Sequence, residues 1–320
     1  MRVYLAGAIS VNLAGFWSGL ARREDATSWK AIDEEMKIFL AGMGGRWWIL
    51  DEPVEKKKEH EGLTGWKERI LLDMRLYLAG VAPWRNEGEY DLTIKEYAPY
   101  ILESFYYADK DTERLLPHFG DFLLDSGAFS FMSGVSAPNW DEYVERYADF
   151  INRNKVKKYF ELDVDSVVGY EKVKGFRGRL ERLTGVQCIP VWHKSRGVAE
   201  FKNMCDEYKY VAIGGIVSKE IKPAQYEAFP SLIREAHKRG AKVHGLGFTN
   251  LSALNWCKFD SVDSTAWTTG NRFGHVYVFD GRTMKKVSAP AGYRLGNPRE
   301  VAVNNFIEWV KFQKYAETHL

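Results

Sequence analysis

From residue 100 onward the chain alternates short apolar runs with longer stretches of helical period, and few folds accept that rhythm. The runs occupy residues 102–107, 122–125, 159–164, 187–193, 210–216, 243–247 and 259–264. Several close on Gly, Asp, Ser or His. The stretch 143–151 between them carries Tyr143, Val144, Tyr147 and Phe150 at helical spacing, and 171–183 and 226–237 behave alike. Runs without strict alternation are strands buried on both faces, and strands that alternate with helices make a parallel sheet. With the run 2–6 at the start there are eight units, the number that closes a (β/α)8 TIM-like barrel. In such a barrel the functional residues stand at the carboxyl ends of the strands. Here those ends carry Asp125, Asp163, His193, Gly214-Gly215, Gly245, Gly247 and Asp263.

The remainder fits one barrel domain spanning 1–320. Residues 8–100 break the rhythm and read as a mainly helical insertion. Within them, Met74-Arg75-Leu76-Tyr77-Leu78-Ala79-Gly80 nearly repeats Met1-Arg2-Val3-Tyr4-Leu5-Ala6-Gly7. Either the second copy is the true first barrel strand, with 1–70 an appendage, or two apolar segments match by chance. After Asn297-Pro298, residues 298–317 read as a C-terminal helix with a proline start signal. Composition excludes several classes. Lys and Arg number 45 against 43 Asp and Glu, a net charge of +2, which is too balanced for a polybasic binder. The hydrophobic content of 45% excludes disorder as the main state. Three cysteines make neither a disulfide framework nor a four-thiolate zinc site. No apolar run approaches the ~18 residues of a membrane span, and no leader pattern opens the chain. The expectation is a soluble cytoplasmic protein without membrane partners.

Four motifs carry candidate chemistry. Leu124-Asp125-Ser126-Gly127-Ala128-Phe129-Ser130 puts a carboxylate where a strand meets a glycine turn, although Asp and Ser there also suit a helix cap. Glu161-Leu162-Asp163-Val164-Asp165 places three acids on one strand face, either a solvated edge or a functional one, with Asp163 nearest the strand end. Cys188-Ile189-Pro190-Val191-Trp192-His193 ends a buried strand in a histidine that is either structural or a proton donor. Phe259-Asp260-Ser261-Val262-Asp263 holds two aspartates on opposite faces, of which Asp263 is nearer the strand end. Trp267 beyond it is either core or a base-stacking platform. The pairs Gly214-Gly215 and Gly245/Gly247 suit close approach of a flat ligand, and neither is a dinucleotide fingerprint.

Taken in order, these pieces resemble the tRNA-guanine transglycosylase (queuine tRNA-ribosyltransferase) superfamily, whose TIM barrel exchanges guanine for a 7-deazaguanine. The family's Asp-Ser/Thr-Gly-Gly-Phe-Gln strand end looks like Asp125-Ser126-Gly127-Ala128-Phe129-Ser130. Its Leu-Asp strand end looks like Leu162-Asp163, and its Val-Gln strand end like Val191-Trp192-His193. Its Ala-Ile-Gly-Gly-Leu segment with a following Glu looks like Ala212-Ile213-Gly214-Gly215-Ile216 and Glu220. Its Met-Gly-Val-Gly turn is similar to His244-Gly245-Leu246-Gly247. The nucleophile run Asp-Met-Phe-Asp-Cys keeps its spacing in Asp260-Ser261-Val262-Asp263-Ser264, which selects Asp263. Matching Phe259-Asp260-Ser261 to Phe-Asp-Cys selects Asp260 instead. The family's cysteine-rich zinc subdomain and the Leu-Pro-Thr-Arg continuation are missing here. A compact chain of this kind is most like the DNA-guanine transglycosylases of phages and genomic islands.

The resemblance implies a pentosyltransferase. Asp263 would attack C1′ and Asp125 would serve as acid and base. Ser126, Gly127, Phe129, Asp163, His193, Gly214, Gly215, Gly245, Gly247 and Trp267 would line the base slot. Lys194, Arg196 and Arg272 would hold phosphates. The partners implied are DNA, with tRNA as the alternative, guanine, and a base such as preQ0. No metal or other cofactor is expected. The rivals are a tRNA-acting member, a non-catalytic accessory subunit of the same fold, and an unrelated barrel glycosidase.

Overall fold

The computed structural model describes residues 74–81, 88–132, 136–270, 274–290 and 297–320. All belong to one unit, Leu71–Leu320. Its parallel strands are β1 (Arg75–Ala79), β2 (Tyr100–Ser104), β3 (Asp121–Asp125), β4 (Val191–Trp192), β5 (Tyr210–Ile213), β6 (Lys242–Gly245) and β7 (Ser261–Ser264). They form a 7-stranded sheet in the order β3-β2-β1-β7-β6-β5-β4. The two outer strands meet through a short segment between them. Leu124 of β3 bridges Tyr159, and Phe160 bridges Ile189 just before β4, both in parallel sense. Residues 159–160 are thus the eighth stave, and the α/β sheet closes into a barrel.

Helices follow the staves as α1 (Gly88–Tyr97), α2 (Lys110–Leu115), α3 (Ala128–Met132), α4 (Trp140–Arg153), α5 (Asp165–Val168), α6 (Tyr170–Thr184), α7 (Gly197–Glu207), α8 (Phe229–Lys238), α9 (Leu251–Cys257) and α10 (Pro298–His319). The period of two in each strand divides the core. Leu76, Leu78, Leu124, Val211, Ile213 and Val262 face the helices, whereas Tyr77, Ala79, Leu123, Phe160 and Ala212 fill the barrel. On β7 the same period that sends Val262 outward leaves Ser261 and Asp263 for the interior.

One expectation is corrected here. The segment 8–100 is not wholly an insertion, because β1 lies at 75–79 in the middle of the sheet and α1 follows it. The second copy of the near-repeat is therefore a barrel strand. Its burial on both faces is the reason: Leu76, Tyr77 and Leu78 are all at most 1% exposed. The run 2–6 and the rest of 8–73 lie outside the described residues.

Helix α10 completes the barrel wall with polar side chains. Asn297 caps it by accepting from the Glu300 amide at 2.9 Å. Its Gln313 accepts from the Tyr100 amide at 2.9 Å and donates to the carbonyls of Leu76 at 2.6 Å and Tyr100 at 2.9 Å. Strands β1 and β2 pair only at Leu78 with Ile101 and Ala79 with Leu102, so Gln313 serves backbone groups below their ladder. Asn305 accepts from the Tyr277 amide at 2.7 Å, tying α10 to the hairpin of β8 (His275–Phe279) and β9 (Met284–Ser288).

Gln313→Leu keeps the volume and removes the side-chain partner of those three buried groups. It is expected to cost about 2–4 kcal/mol in urea unfolding at an unchanged m value. A loss below about 0.5 kcal/mol would show that β1 and β2 hold without it.

Candidate active site

The strand-end residues gather at one end of the barrel. Asp125 closes β3, Asp163 follows the 159–160 stave, His193 follows β4, Gly214 and Gly215 follow β5, and Asp263 lies in β7. Asp263 is 7% exposed. Its Oδ1 accepts from the Gly247 amide at 2.6 Å and lies 3.2 Å from His244 Nε2. Asp260 sits at the opposite end, before β7. There it accepts from the Val243 amide at 2.7 Å and pairs with His237 at 2.8 Å. Of the two aspartates, only Asp263 is at the mouth.

Asp125 accepts from the Gly127 amide at 2.9 Å. Its pKa is pushed up to about 6, first by burial; the Gly127 amide opposes this, the charges of Asp263 and Asp163 add to it, and the Ser104 hydroxyl opposes it. The strand order sets Asp125, Asp163 and Asp263 at the same end of the barrel. Part of the Asp125 surface stays accessible. Gly127 has φ +81°, and a Cβ there would stand 2.7 Å from Tyr106 Cβ. Ser126 is buried, and its hydroxyl has no hydrogen bond among the described residues.

His193 lies between two carboxylates. Its Nε2 is 2.9 Å from both Asp163 oxygens, and its Nδ1 is 2.9 Å from Glu220 Oε2. Burial pulls its pKa down, but the bonds to Asp163 and Glu220 outweigh burial and raise it to about 9. Glu220 moves the other way: burial raises it, and His193 with the Ser195 amide lowers it further. At neutral pH the group is an imidazolium flanked by carboxylates. Gly214 and Gly215 make this packing possible. A Cβ at Gly214 would be 3.0 Å from His193 Cε1, and one at Gly215, where φ is +78°, 2.7 Å from Glu220 Oε2. The glycine pair therefore admits His193 and Glu220 rather than leaving an open slot. Gly245 likewise makes room for Phe248 and Phe259, each 3.1 Å from its would-be Cβ. Gly247, at φ +70°, supplies the amide that holds Asp263.

Two expectations are corrected. Arg196 is no phosphate clamp: its side chain is 5% exposed, pairs with Asp165 at 2.8 Å, and lies over the Tyr170 ring. Its charge is used on the acids of the 161–165 segment. Trp267 is no stacking platform: it is 0% exposed, donates to the Ala79 carbonyl at 2.7 Å, and packs on Tyr90 and Phe306. Phe129 and Lys194 are exposed, and Arg272 lies outside the described residues. Asp163, Asp165 and His193 bring ligand atoms within 4.8 Å of one another. In that cluster His193 is cationic and Arg196 faces Asp165, so the protein itself already balances the charge a metal would meet.

Glu161, fully buried, takes Arg177 at 2.7 Å and the Val191 amide at 2.8 Å, and burial raises its pKa despite both arginines. Glu220 and His244 were absent from the site drawn from sequence. Glu220 carried a signal in its place after the glycine pair, and His244 in its place before Gly245. Two open surface hollows, about 630 Å³ beside Asp91 and Arg299 and about 530 Å³ beside Arg146 and Arg153, contain none of these residues. Among the described residues no helix is long and apolar enough to cross a membrane.

No protein-family model matches the chain, and no curated protein does. Among solved structures it is similar to the carboxyl transferase domain of Rhizobium etli pyruvate carboxylase. That match has 14% identity and a TM-score of 0.42, covering 78% of this chain and 49% of that one. The chain thus spans about half the length of that neighbour. It is also similar to a mutant tryptophan synthase alpha-subunit from Pyrococcus furiosus, with 15% identity and a TM-score of 0.42 over 62% of this chain and 91% of that one. Likeness at this level carries no argument about chemistry, and the barrel rests on its own strand order.

The two shifted groups predict pH-dependent stability. Asp125 binds its proton more tightly when folded, so its contribution is full below pH ~4 and is lost as pH rises through ~6. Asp125→Asn should flatten that slope and raise stability at pH 7 by about 1–2 kcal/mol. His193 is also raised, so its contribution is full below pH ~6.5 and is lost as pH rises through ~9. His193→Gln should be less stable at pH 6 by about 1–3 kcal/mol and lack the alkaline decline. Urea titrations across pH 4–10 check both, and parallel curves for wild type and variants would remove the assignments.

Proposed function

We propose that the protein is a base-exchange transglycosylase that replaces guanine in DNA with a 7-deazaguanine such as preQ0, through a covalent glycosyl-aspartate intermediate. The observation that carries the reading is the pair Asp125 and Asp263. They are distant in sequence, lie at one end of the barrel, and are coupled strongly enough for one charge to raise the other's pKa. The resemblance of the ordered strand-end motifs supplies the substrate class. Breaking C1′–N9 passes through a cation-like sugar. The Asp263 carboxylate attacks C1′ from one side while Asp125, protonated near its raised pKa of about 6, gives its proton to the departing base. The incoming base then returns a proton to Asp125 and displaces Asp263, with net retention at C1′. Asp163, its carboxylate oriented by the His193 imidazolium, offers an acceptor for the edge of a purine, and exposed Phe129 at the rim offers a face for stacking. Lys194, exposed in the turn after β4, is the remaining described candidate for a phosphate.

The test is incorporation of labelled guanine and of labelled preQ0 into duplex DNA or tRNA. Label in DNA is the expected result. Label in tRNA alone would reassign the nucleic acid, and label in neither would overturn base exchange. Asp263→Ala should lower exchange by more than about 1000-fold. Asp125→Asn should lower it by about 100-fold to 10,000-fold. Wild-type exchange should peak near pH ~6, where both forms of Asp125 are populated. Full exchange by Asp263→Ala would refute the nucleophile.

A further inference from the structure

The proposed reaction leaves one wholly buried titratable side chain in contact with the nucleophile unused. His244 of β6 is 0% exposed and pairs in register with Ser261 of β7. Its Nε2 is 3.2 Å from Asp263 Oδ1, and its Nδ1 is 2.5 Å from Ser261 Oγ. Ser261 Oγ is in turn hydrogen-bonded to the Tyr210 hydroxyl. The rings of Phe160 and Tyr77, with centroids 5.2 and 6.1 Å away, flank the imidazole. With Tyr210 as the donor at the far end, one proton arrangement uses every site once. Tyr210 donates to Ser261, Ser261 donates to Nδ1, and Nε2–H donates to Asp263. Asp263 Oδ1 then accepts two donors, His244 and the Gly247 amide at 2.6 Å, while Oδ2 accepts none among the described residues.

We infer that His244 is a positioning residue that donates from Nε2 and so fixes Oδ2 of Asp263 as the attacking atom; this rests on the base-exchange reading. In the first half-reaction an Oδ2 lone pair forms the bond to C1′ as C1′–N9 breaks. That bonding pair leaves with guanine, which takes the Asp125 proton. Oδ1 becomes the ester carbonyl oxygen and keeps both donors. In the second half the incoming base gives its N9 proton to Asp125 and N9 bonds C1′. The C1′–Oδ2 bond breaks, and its electron pair returns to the carboxylate. Charge grows on Oδ1 as it does so, beside two donors that are already oriented. His244 therefore acts on the rate of the chemical step and leaves substrate binding alone.

Histidine-labelled full-length protein gives the imidazole tautomer by two-bond proton–nitrogen NMR, and the exchange assay gives kcat and KM. The expected spectrum assigns the proton of His244 to Nε2, with that signal displaced in Asp263→Asn and the tautomers mixed in Ser261→Ala. His244→Gln should lower kcat about 10-fold to 100-fold, with KM changed less than about 2-fold. Should that variant not fold, Ser261→Ala carries the kinetic arm with a smaller fall in kcat. A proton on Nδ1 alone or an unchanged kcat in variants of an exchanging wild type would overturn the role of His244. A wild type that exchanges no base removes the function proposed above, and the role of His244 with it.

Discussion

Two residues close this barrel. The backbone around Tyr159 and Phe160 bonds to β3 on one side, with the Leu124 amide on the Lys158 carbonyl at 3.1 Å and the Phe160 amide on the Leu124 carbonyl at 2.9 Å. On the other side the Ile189 amide reaches the Tyr159 carbonyl at 2.8 Å, and the Glu161 amide reaches the Ile189 carbonyl at 3.0 Å. A stave this short leaves backbone groups to be served by side chains. The Tyr147 hydroxyl of α4 stands 3.1 Å from the Leu124 carbonyl and 3.0 Å from that of Phe160. The Glu161 carboxylate takes the Val191 amide. Asp163 follows two residues after Glu161, so the stitching that closes the sheet also delivers an acid between Asp125 and His193. Without closure the acids of β3 and β7 would share no enclosed mouth.

The acids at that mouth divide by what neutralises them. Glu161 has Arg177, Asp165 has Arg196, and Asp163 and Glu220 share the His193 imidazolium. Asp125 accepts from a backbone amide, and Asp263 from a backbone amide and His244. Among the described residues no lysine or arginine pairs with either. A carboxylate with no cation beside it keeps its nucleophilicity, and nothing of opposite charge offsets the rise in pKa that burial brings. The arginines are thus structural to the site without touching its chemistry. They offset the charge of neighbouring acids, whereas the charges that raise the Asp125 pKa are those of Asp263 and Asp163.

The alternation of runs and helices was legible because strands buried on both faces leave continuous apolar signals. Asp125, Asp163, His193 and Asp263 were legible because strand ends are where barrels place titratable groups. The eighth stave was overestimated as 159–164, because closure through Tyr147 and Glu161 leaves no trace in hydropathy. Sequence left β1 open between a first barrel strand and a chance match inside an insertion, since its neighbours in sequence, unlike those in space, lack the rhythm. Arg196 and Trp267 were misread for one reason: a basic residue and an indole near a strand end look alike whether they face solvent or the interior. Gln313 gives no sequence signal at all. It is a polar residue in an amphipathic helix until β1 and β2 are placed beside it.

A polar file inside a barrel is costly, and this barrel has two. Near the amino ends of the strands, Tyr77 donates to Asp121 at 2.7 Å, and Arg75 and Lys158 neutralise the same carboxylate. Nearer the mouth, Tyr210, Ser261 and His244 lead to Asp263. Apolar side chains of equal volume would satisfy packing in both places, since replacing a buried polar set by well-packed hydrophobes is often neutral or stabilising. In the lower file the one carboxylate is met within the protein by two cations and a hydroxyl. The upper one is not complete: its last member, Asp263, retains an oxygen without a protein donor among the described residues. A hydrogen-bond chain that ends on a half-satisfied carboxylate at a strand's carboxyl end has its unmet demand at the one place where a ligand can supply it.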